Sequence, residues 1–187
     1  MDVGRTRARF PSASRVRLRA WQPSDLEPFA ALGVDPEVMR WLGGPIDRHA
    51  SDAIAGRIAR EMAELGFGLW AVEVPGVAEF IGFVGLQVPG FTADFTPCVE
   101  VGWRLAREWW GRGYASEAAC ASIDHGLDVL GLGEIVAFTS VHNLRSRRVM
   151  ERVGMVRDRE FDHPSVPPGH ELQRHVLYRI GRPAPGT

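Results

Sequence analysis

Apolar positions recur along the chain with two periods, and the alternation between them sketches the fold. In RVRLRAW, residues 15–21, Val16, Leu18 and Ala20 alternate with arginines, which predicts an opening strand with one wet face. QPSDLEPFAALG then reads as a short helix, with Ser24 or Asp25 at its start, Pro28 in its first turn and Gly33 at its end. From Ser51 to Leu65, Ile54, Ile58, Met62 and Leu65 recur at spacings of four, four and three. Arg57/Glu61 and Arg60/Glu64 pair on another face, so this is an amphipathic helix. FGLWAVEV and EFIGFVGLQV, separated by Pro75-Gly76, predict two paired strands; Gly82 and Gly85 in the second mark a bulge or a close ligand.

CVEVGWRL, Cys98 to Leu105, sets Val99, Val101, Trp103 and Leu105 on one strand face and Cys98, Glu100, Gly102 and Arg104 on the other. After a glycine-rich turn, Ala119, Ile123, Leu127 and Leu130 repeat at helical spacing until Gly131 and Gly133. EIVAFTS is a nearly continuous apolar strand, the pattern of one covered on both faces. HNLRSRRVMERVGM reads as a helix capped by Asn143 and ended by Gly154, with Val149, Met150 and Val153 inward. Met155 to Phe161 and Glu171 to Ile180 are two final strands around the loop DHPSVPPGH. There is no internal repeat. The order of strand, glycine-rich turn, helix, strand and helix, with strands before and after, predicts a layered α/β architecture.

Composition narrows the function. The 187 residues, 45% hydrophobic, suffice for one well-packed core, read as a single domain over 15–180 with flexible tails at 1–14 and 181–187. Net charge is −1, which argues against a protein whose main business is nucleic acid or an acidic membrane surface. No apolar run approaches the ~20 residues that span a bilayer. Cys98 and Cys120 show no C-x-x-C spacing and no paired histidines nearby, so neither a disulfide framework nor a metal site is expected. The opening MDVGRTRARFPSAS is arginine-rich without an apolar core, unlike a secretory signal. A cytoplasmic protein, monomer or homodimer, is expected.

Candidate chemistry centres on WGRGYA, Trp110 to Ala115. Glycine at 111 and 113 lets successive amides point at one ligand, and the following helix adds its unpaired N–H groups, a recipe for binding phosphate; a plain tight turn is the alternative. A P-loop would need Gly-Lys-Ser or Gly-Lys-Thr, yet the chain has no lysine. A dinucleotide fingerprint fails because Ser116 stands at the third glycine position.

The glycine loop, followed by NLRSRRVMERVGM at Asn143 to Met155, resembles the GCN5-related N-acetyltransferase family, in particular its branch that acetylates ribosomal-protein N-termini. The resemblance runs from Arg15 to Ile180 and includes LRAWQPSDLEPF and FIGFVGL. It implies a mixed, mostly antiparallel sheet of about seven strands with helices on both faces. It also implies acetyl-CoA as co-substrate, an amine acceptor and no metal. The amides of Gly111, Arg112, Gly113, Tyr114 and Ala115 are then expected to hold the pyrophosphate, aided by Arg107 or Arg112. Trp110 stands where the family has Gln or Arg. The resemblance places Trp103, Arg104 and Leu105 on the cofactor strand and gives Asn143 to the pantetheine arm. Arg145 or Arg148 would reach the 3′-phosphate.

For catalysis the resemblance points to Glu100 as base, acting directly or through water; the alternative is a structural pair with Arg104 or another arginine. The family's usual tyrosine falls at Met150, which leaves Ser146 as donor to the leaving thiolate, or as an ordinary first-turn residue. A route through Cys98 lacks a histidine partner. Trp41 is expected at the core or lining the acceptor cleft. A different class of function, a non-catalytic acyl-CoA-binding module, fits the same motifs.

Overall fold

The computed structural model describes residues 10–181, and in it the alternation around Leu18 becomes β1 (Arg17–Arg19), with Leu18 buried. Helices α1 (Leu26–Val34), α2 (Pro36–Met39) and α3 (Arg48–Leu65) follow, then strands β2 (Leu69–Val74), β3 (Ala78–Gln87) and β4 (Glu100–Leu105). The second half comprises α4 (Tyr114–Asp124), β5 (Glu134–Ser140), α5 (Leu144–Arg152), β6 (Val156–Asp162) and β7 (Arg174–Gly181). The seven strands form one sheet in the order β1-β2-β3-β4-β5-β7-β6, and each neighbouring pair is antiparallel except β4 and β5. This is the mixed, mostly antiparallel sheet expected.

Strand alternation sends two sets of side chains to opposite faces. Val101 and Leu105 join Ala118, Ala119, Ile123 and Met150 in a core beneath α4 and α5. On the other face Phe83 packs with Phe29 of α1 and with Ala55 and Ile58 of α3. Helices thus flank the sheet on both sides, so a gap in the sheet would have two mouths.

Several boundaries differ from the sequence reading, each for an identifiable physical reason. Gly33 lies inside α1, not at its end, because Asp35 stops that helix and caps the next, accepting from the Glu37 and Val38 N–H groups at 2.9 and 3.4 Å. The resulting α2 has four residues, too few to show a period. Helix α3 starts three residues early because the Asp47 side chain accepts from Ala50 N at 2.8 Å. The helix expected up to Leu130 is α only to Asp124; His125–Val129 form a π turn closed by Leu130 N to His125 O at 3.0 Å. Gly126 lies in that turn because a Cβ there would meet Ile135 Cδ1 at 2.6 Å. Gly82 and Gly85 serve close strand packing: a Cβ would stand 2.1 Å from Arg104 O and from Gly68 O respectively. The expected tails lie largely outside the described residues. Within them Ala13 packs on the core, Ser14 donates to Glu117 and Gly181 closes β7.

One charged junction ties the early elements together. Asp25, buried before α1, takes a fork from Arg19 at 2.7 and 2.8 Å and the Gln22 N–H at 2.8 Å. Arg19 also reaches Glu73 of β2 and the Glu79 carbonyl of β3. Removing one partner of a buried pair strands the other. Asp25→Ala is therefore expected to cost about 3 kcal/mol of stability, read from urea unfolding midpoints.

Candidate active site

Strands β4 and β5 touch at a single register point, Glu100 opposite Val136, where Val136 N–H donates to Val99 O at 2.9 Å. No further register pair joins them among the described residues. Toward their C-terminal ends they part. Ala106 N–H donates to Ile81 O at 2.9 Å, which fixes the phase of the ladder: residues 100, 102 and 104 turn their peptide groups to β3, and residues 101 and 103 turn theirs to the β5 side. The peptide groups of Val101 and Trp103 accordingly face the gap. A cleft of about 1240 Å³ occupies it.

Helix α4 begins at one mouth of this cleft. Gly111 and Gly113 adopt positive φ, 75° and 84°, a region costly for residues with a Cβ. Gly113 is the N-cap of α4, and Glu117 N–H is the first to find a helical acceptor, Gly113 O at 3.0 Å. The preceding N–H groups of Tyr114, Ala115 and Ser116 are the ones a helix start leaves without intrahelical partners. The loop is held from both sides. Trp110 Nε1–H donates to Leu105 O at 2.8 Å, and Arg15 Nη1 donates to Arg112 O at 3.1 Å. Glu117 anchors Arg15 through its backbone N–H and its Nε. A Cβ on Gly113 would stand 3.2 Å from Arg15 Nη2, whereas one on Gly111 would meet nothing within 4 Å.

The expected site residues converge on this cleft, Arg112 excepted. Glu100, Trp103, Arg104 and Leu105 of β4 line it, as do Arg107, Trp110, Gly111, Gly113, Tyr114 and Ala115 around the loop. Asn143, Arg145, Ser146 and Arg148 line it from α5. Arg112 is not among the lining residues; its guanidinium lies 5.0 Å from the ring centroid of Trp109, which does line the cleft. Arg107 stands 3.8 Å from Asp35, and Arg145 stacks on Trp110 at 4.7 Å. Trp41 also lines the cleft.

Asn143 is the N-cap of α5 and fully engaged there. Its Oδ1 accepts Ser146 N–H at 3.3 Å, and its Nδ2 donates to Thr139 Oγ1 at 2.9 Å and to Ser146 Oγ at 3.0 Å. With its oxygen accepting from the amide, Ser146 keeps its own O–H proton available to another acceptor. Met150 is buried in the core, and the Tyr178 hydroxyl is committed to Glu151 at 2.9 Å.

Glu100 is buried, 8% exposed, and its partner is Gln87, whose Nε2 donates at 2.8 Å. The pairing with Arg104 considered from sequence does not occur. Burial pushes the Glu100 pKa up to about 8, against the opposing pull of the Gln87 hydrogen bond. Burial and the Glu100 charge also raise the Cys98 pKa, which keeps that side chain a thiol. Gln87 and Thr139 escaped the sequence reading. The signal for Gln87 was register: in an antiparallel β3–β4 pair it falls opposite Glu100.

Known proteins bear on this geometry. The family model described as "Acetyltransferase (GNAT) domain" matches residues 15–156. The protein YkkB of Bacillus subtilis is 34% identical over 142 residues, 75% of this chain and 81% of its own. FsC-acetyl coenzyme A-N(2)-transacetylase of Aspergillus fumigatus is 32% identical over 163 residues, 81% of this chain and 67% of its own. A GNAT-family acetyltransferase structure from Bacillus anthracis superposes with a TM-score of 0.77 at 25% identity, covering 92% of this chain and 98% of that one. The chain therefore belongs to the GNAT family and is an N-acetyltransferase.

Proposed function

We propose that the protein moves an acetyl group from acetyl-CoA to a primary amine, a peptide N-terminus or a small molecule, by direct attack in a ternary complex with Glu100 as base. The observation that carries this reading is the buried Glu100 carboxyl at the point where β4 and β5 part, next to peptide groups that face an open cleft. The residues present suit the co-substrate. A helix start behind two positive-φ glycines is a phosphate cradle, and the Val101 and Trp103 peptides offer a strand edge to the amide-bearing pantetheine arm. Arg145 and Arg148 add cationic charge at the same mouth. Acetyl-CoA supplies the acetyl group already activated as a thioester. Asn143 holds the first turn of α5 together, and so presents Ser146 to the cleft.

Glu100 is suited to proton removal because its pKa near 8 is close to that of an α-amine, about 7.7 to 8.0. At pH 7 burial therefore favours the protonated carboxyl in the empty site. An entering ammonium favours the ionised form, and the carboxylate can then take the proton as the amine attacks. The Ser146 hydroxyl is the donor available to the departing sulfur. That sulfur needs little help, since a thiol titrates near 8.5. The resemblance to the branch that acetylates ribosomal-protein N-termini supports a peptide acceptor within this reading.

Acetyl-CoA is expected to raise the melting temperature, by the equivalent of about 2.7 kcal/mol at 100 times Kd. Gly113→Val should erase that shift while the far-UV circular-dichroism spectrum stays that of a folded protein; a retained shift would reduce the loop to a turn. Glu100→Gln should leave acetyl-CoA affinity within a few-fold and lower kcat/KM by roughly 10²- to 10⁴-fold. The same variant carries a stability signature. Because the folded-state pKa is raised, the protonated carboxyl's contribution is fully present below about 4.5 and is lost as pH rises through about 8. Glu100→Gln should therefore melt close to wild type at pH 4.5 and progressively above it toward pH 8. Equal melting temperatures across that range would remove the burial argument.

A further inference from the structure

Resting on the reading of the cleft as an amine acetyltransferase site, we infer that its α1–α3 side holds a carboxylate-binding subsite built on Arg104, so that the acceptor is an amine carrying a carboxylate. Arg104 shares a strand face with Glu100 and Gly102, and lies directly opposite Phe83 in the β3–β4 register. Its guanidinium sits over the Phe83 ring at 5.3 Å and the Phe29 ring at 5.8 Å. That is the face covered by α1 and α3, away from the helix start where the phosphate cradle lies. The main chain of Arg104 belongs to the cofactor strand, but its side chain looks to the other mouth.

This cation is unusual in its lack of company. Among the described residues, Nε and Nη1 of Arg104 are the only buried side-chain nitrogens without a hydrogen-bond partner. Arg19, by contrast, is met by two carboxylates. Aromatic faces attract a guanidinium but accept none of its five in-plane N–H groups. Burial, with Arg57 nearby, lowers the Arg104 pKa to about 10, which still leaves it charged at neutral pH. Enclosed nitrogens left without an acceptor are destabilising in the empty protein and mark the place where a ligand group would be matched. A guanidinium fork matches a carboxylate in plane and in charge.

The surroundings favour one carboxylate over a phosphate. Arg57, the neighbouring cation in the cleft, is already tied to Glu61 at 2.9 Å, and Arg40 lies over the Trp41 ring, so among the described residues Arg104 is the cation there whose enclosed nitrogens lack an acceptor. Leu69, Phe83 and Ile58 supply apolar walls. Between Glu100 and Arg104 the floor is Gly102, where a Cβ would still find 3.7 Å of clearance to Gln87 Nε2. The two ends are four residues apart, roughly 13 Å along the strand, before either side chain reaches in. An acceptor whose amine and carboxylate are separated by several bonds spans such a trough.

The test pairs acids with their neutral twins: ω-amino acids from glycine to 6-aminohexanoate, and di- and triglycine, each against its carboxamide, with CoA release as readout. The acid should be preferred in kcat/KM by about 10- to 100-fold at the best-fitting length, and Arg104→Met should erase the preference while Arg104→Lys keeps part of it. Binding is read separately. With CoA present, the best acid should raise the wild-type melting temperature more than its carboxamide does, and Arg104→Met should remove the difference. Arg104→Met should itself melt no lower than wild type, since it replaces an unmatched cation with an apolar chain of similar length. Equal use and equal binding of acids and carboxamides, or a marked loss of stability in Arg104→Met, would overturn the subsite and leave acetyl transfer standing. CoA release with none of these amines, nor with N-terminal peptides or polyamines, would instead remove the transfer reading, and the subsite with it.

Discussion

The molecule is organised around two parallel strands that agree at one point and then separate. An intact ladder between β4 and β5 would satisfy the peptide groups of Val101 and Trp103 and close the sheet. Divergence beyond Glu100 and Val136 leaves those groups facing a cleft, and it places a carboxyl at the vertex, where it is most enclosed. Everything else sets the rim of that opening. The glycine loop and α4 supply one side, the Asn143-capped α5 another, and the helices before β2 cover the far mouth. Because the strands diverge toward their C-terminal ends, the turns that leave them carry the polar apparatus, the usual arrangement for open α/β sheets.

Positive charge in this protein is carried almost wholly by arginine, since the chain contains no lysine. Among the described residues several of those guanidiniums do structural work: Arg19 joins β1, β2 and β3, Arg15 braces the glycine loop, and Arg179 spans Asp158 and Glu134. Against this background Glu100, buried, and Arg104, half-buried with two enclosed nitrogens, stand out as titratable groups on one strand face that do not neutralise each other. The strand geometry keeps them apart by four residues, with glycine between. A carboxyl drifting toward neutrality and a cation lacking hydrogen-bond partners are both destabilising alone, and a strand face that tolerates both is organised around a visitor.

Much of the architecture was legible because it rests on local chemistry. The boundaries of β5 could be read from the apolar run EIVAFTS, and the start of α5 from Asn143, whose side chain does cap the helix. The glycine spacing of the loop marked positive φ at 111 and 113. What stayed hidden depends on contacts distant in sequence. The partner of Glu100 was set by strand register, not by spacing along the chain, and so Gln87 went unseen while Arg104 was weighed instead. The π turn after Asp124 answers to Ile135 and Leu86, on other elements. Helix α2 is one turn held by the Asp35 cap, too brief for any period. Arg104 read as one more member of an alternating face; only its surroundings reveal that nothing answers its charge.

The opening between β4 and β5 also bears on how the protein behaves in company. Unpaired strand edges are usually found at the outside of a sheet, where charges and prolines guard them against stray partners. Here the vulnerable edge is internal, framed by apolar walls and flanked by a seven-stranded template. An extended segment from another chain would find the same peptide groups that suit a pantetheine arm. Acetyl-CoA bound as proposed would cover that edge, so the empty form is the one that would leave it open to such a segment.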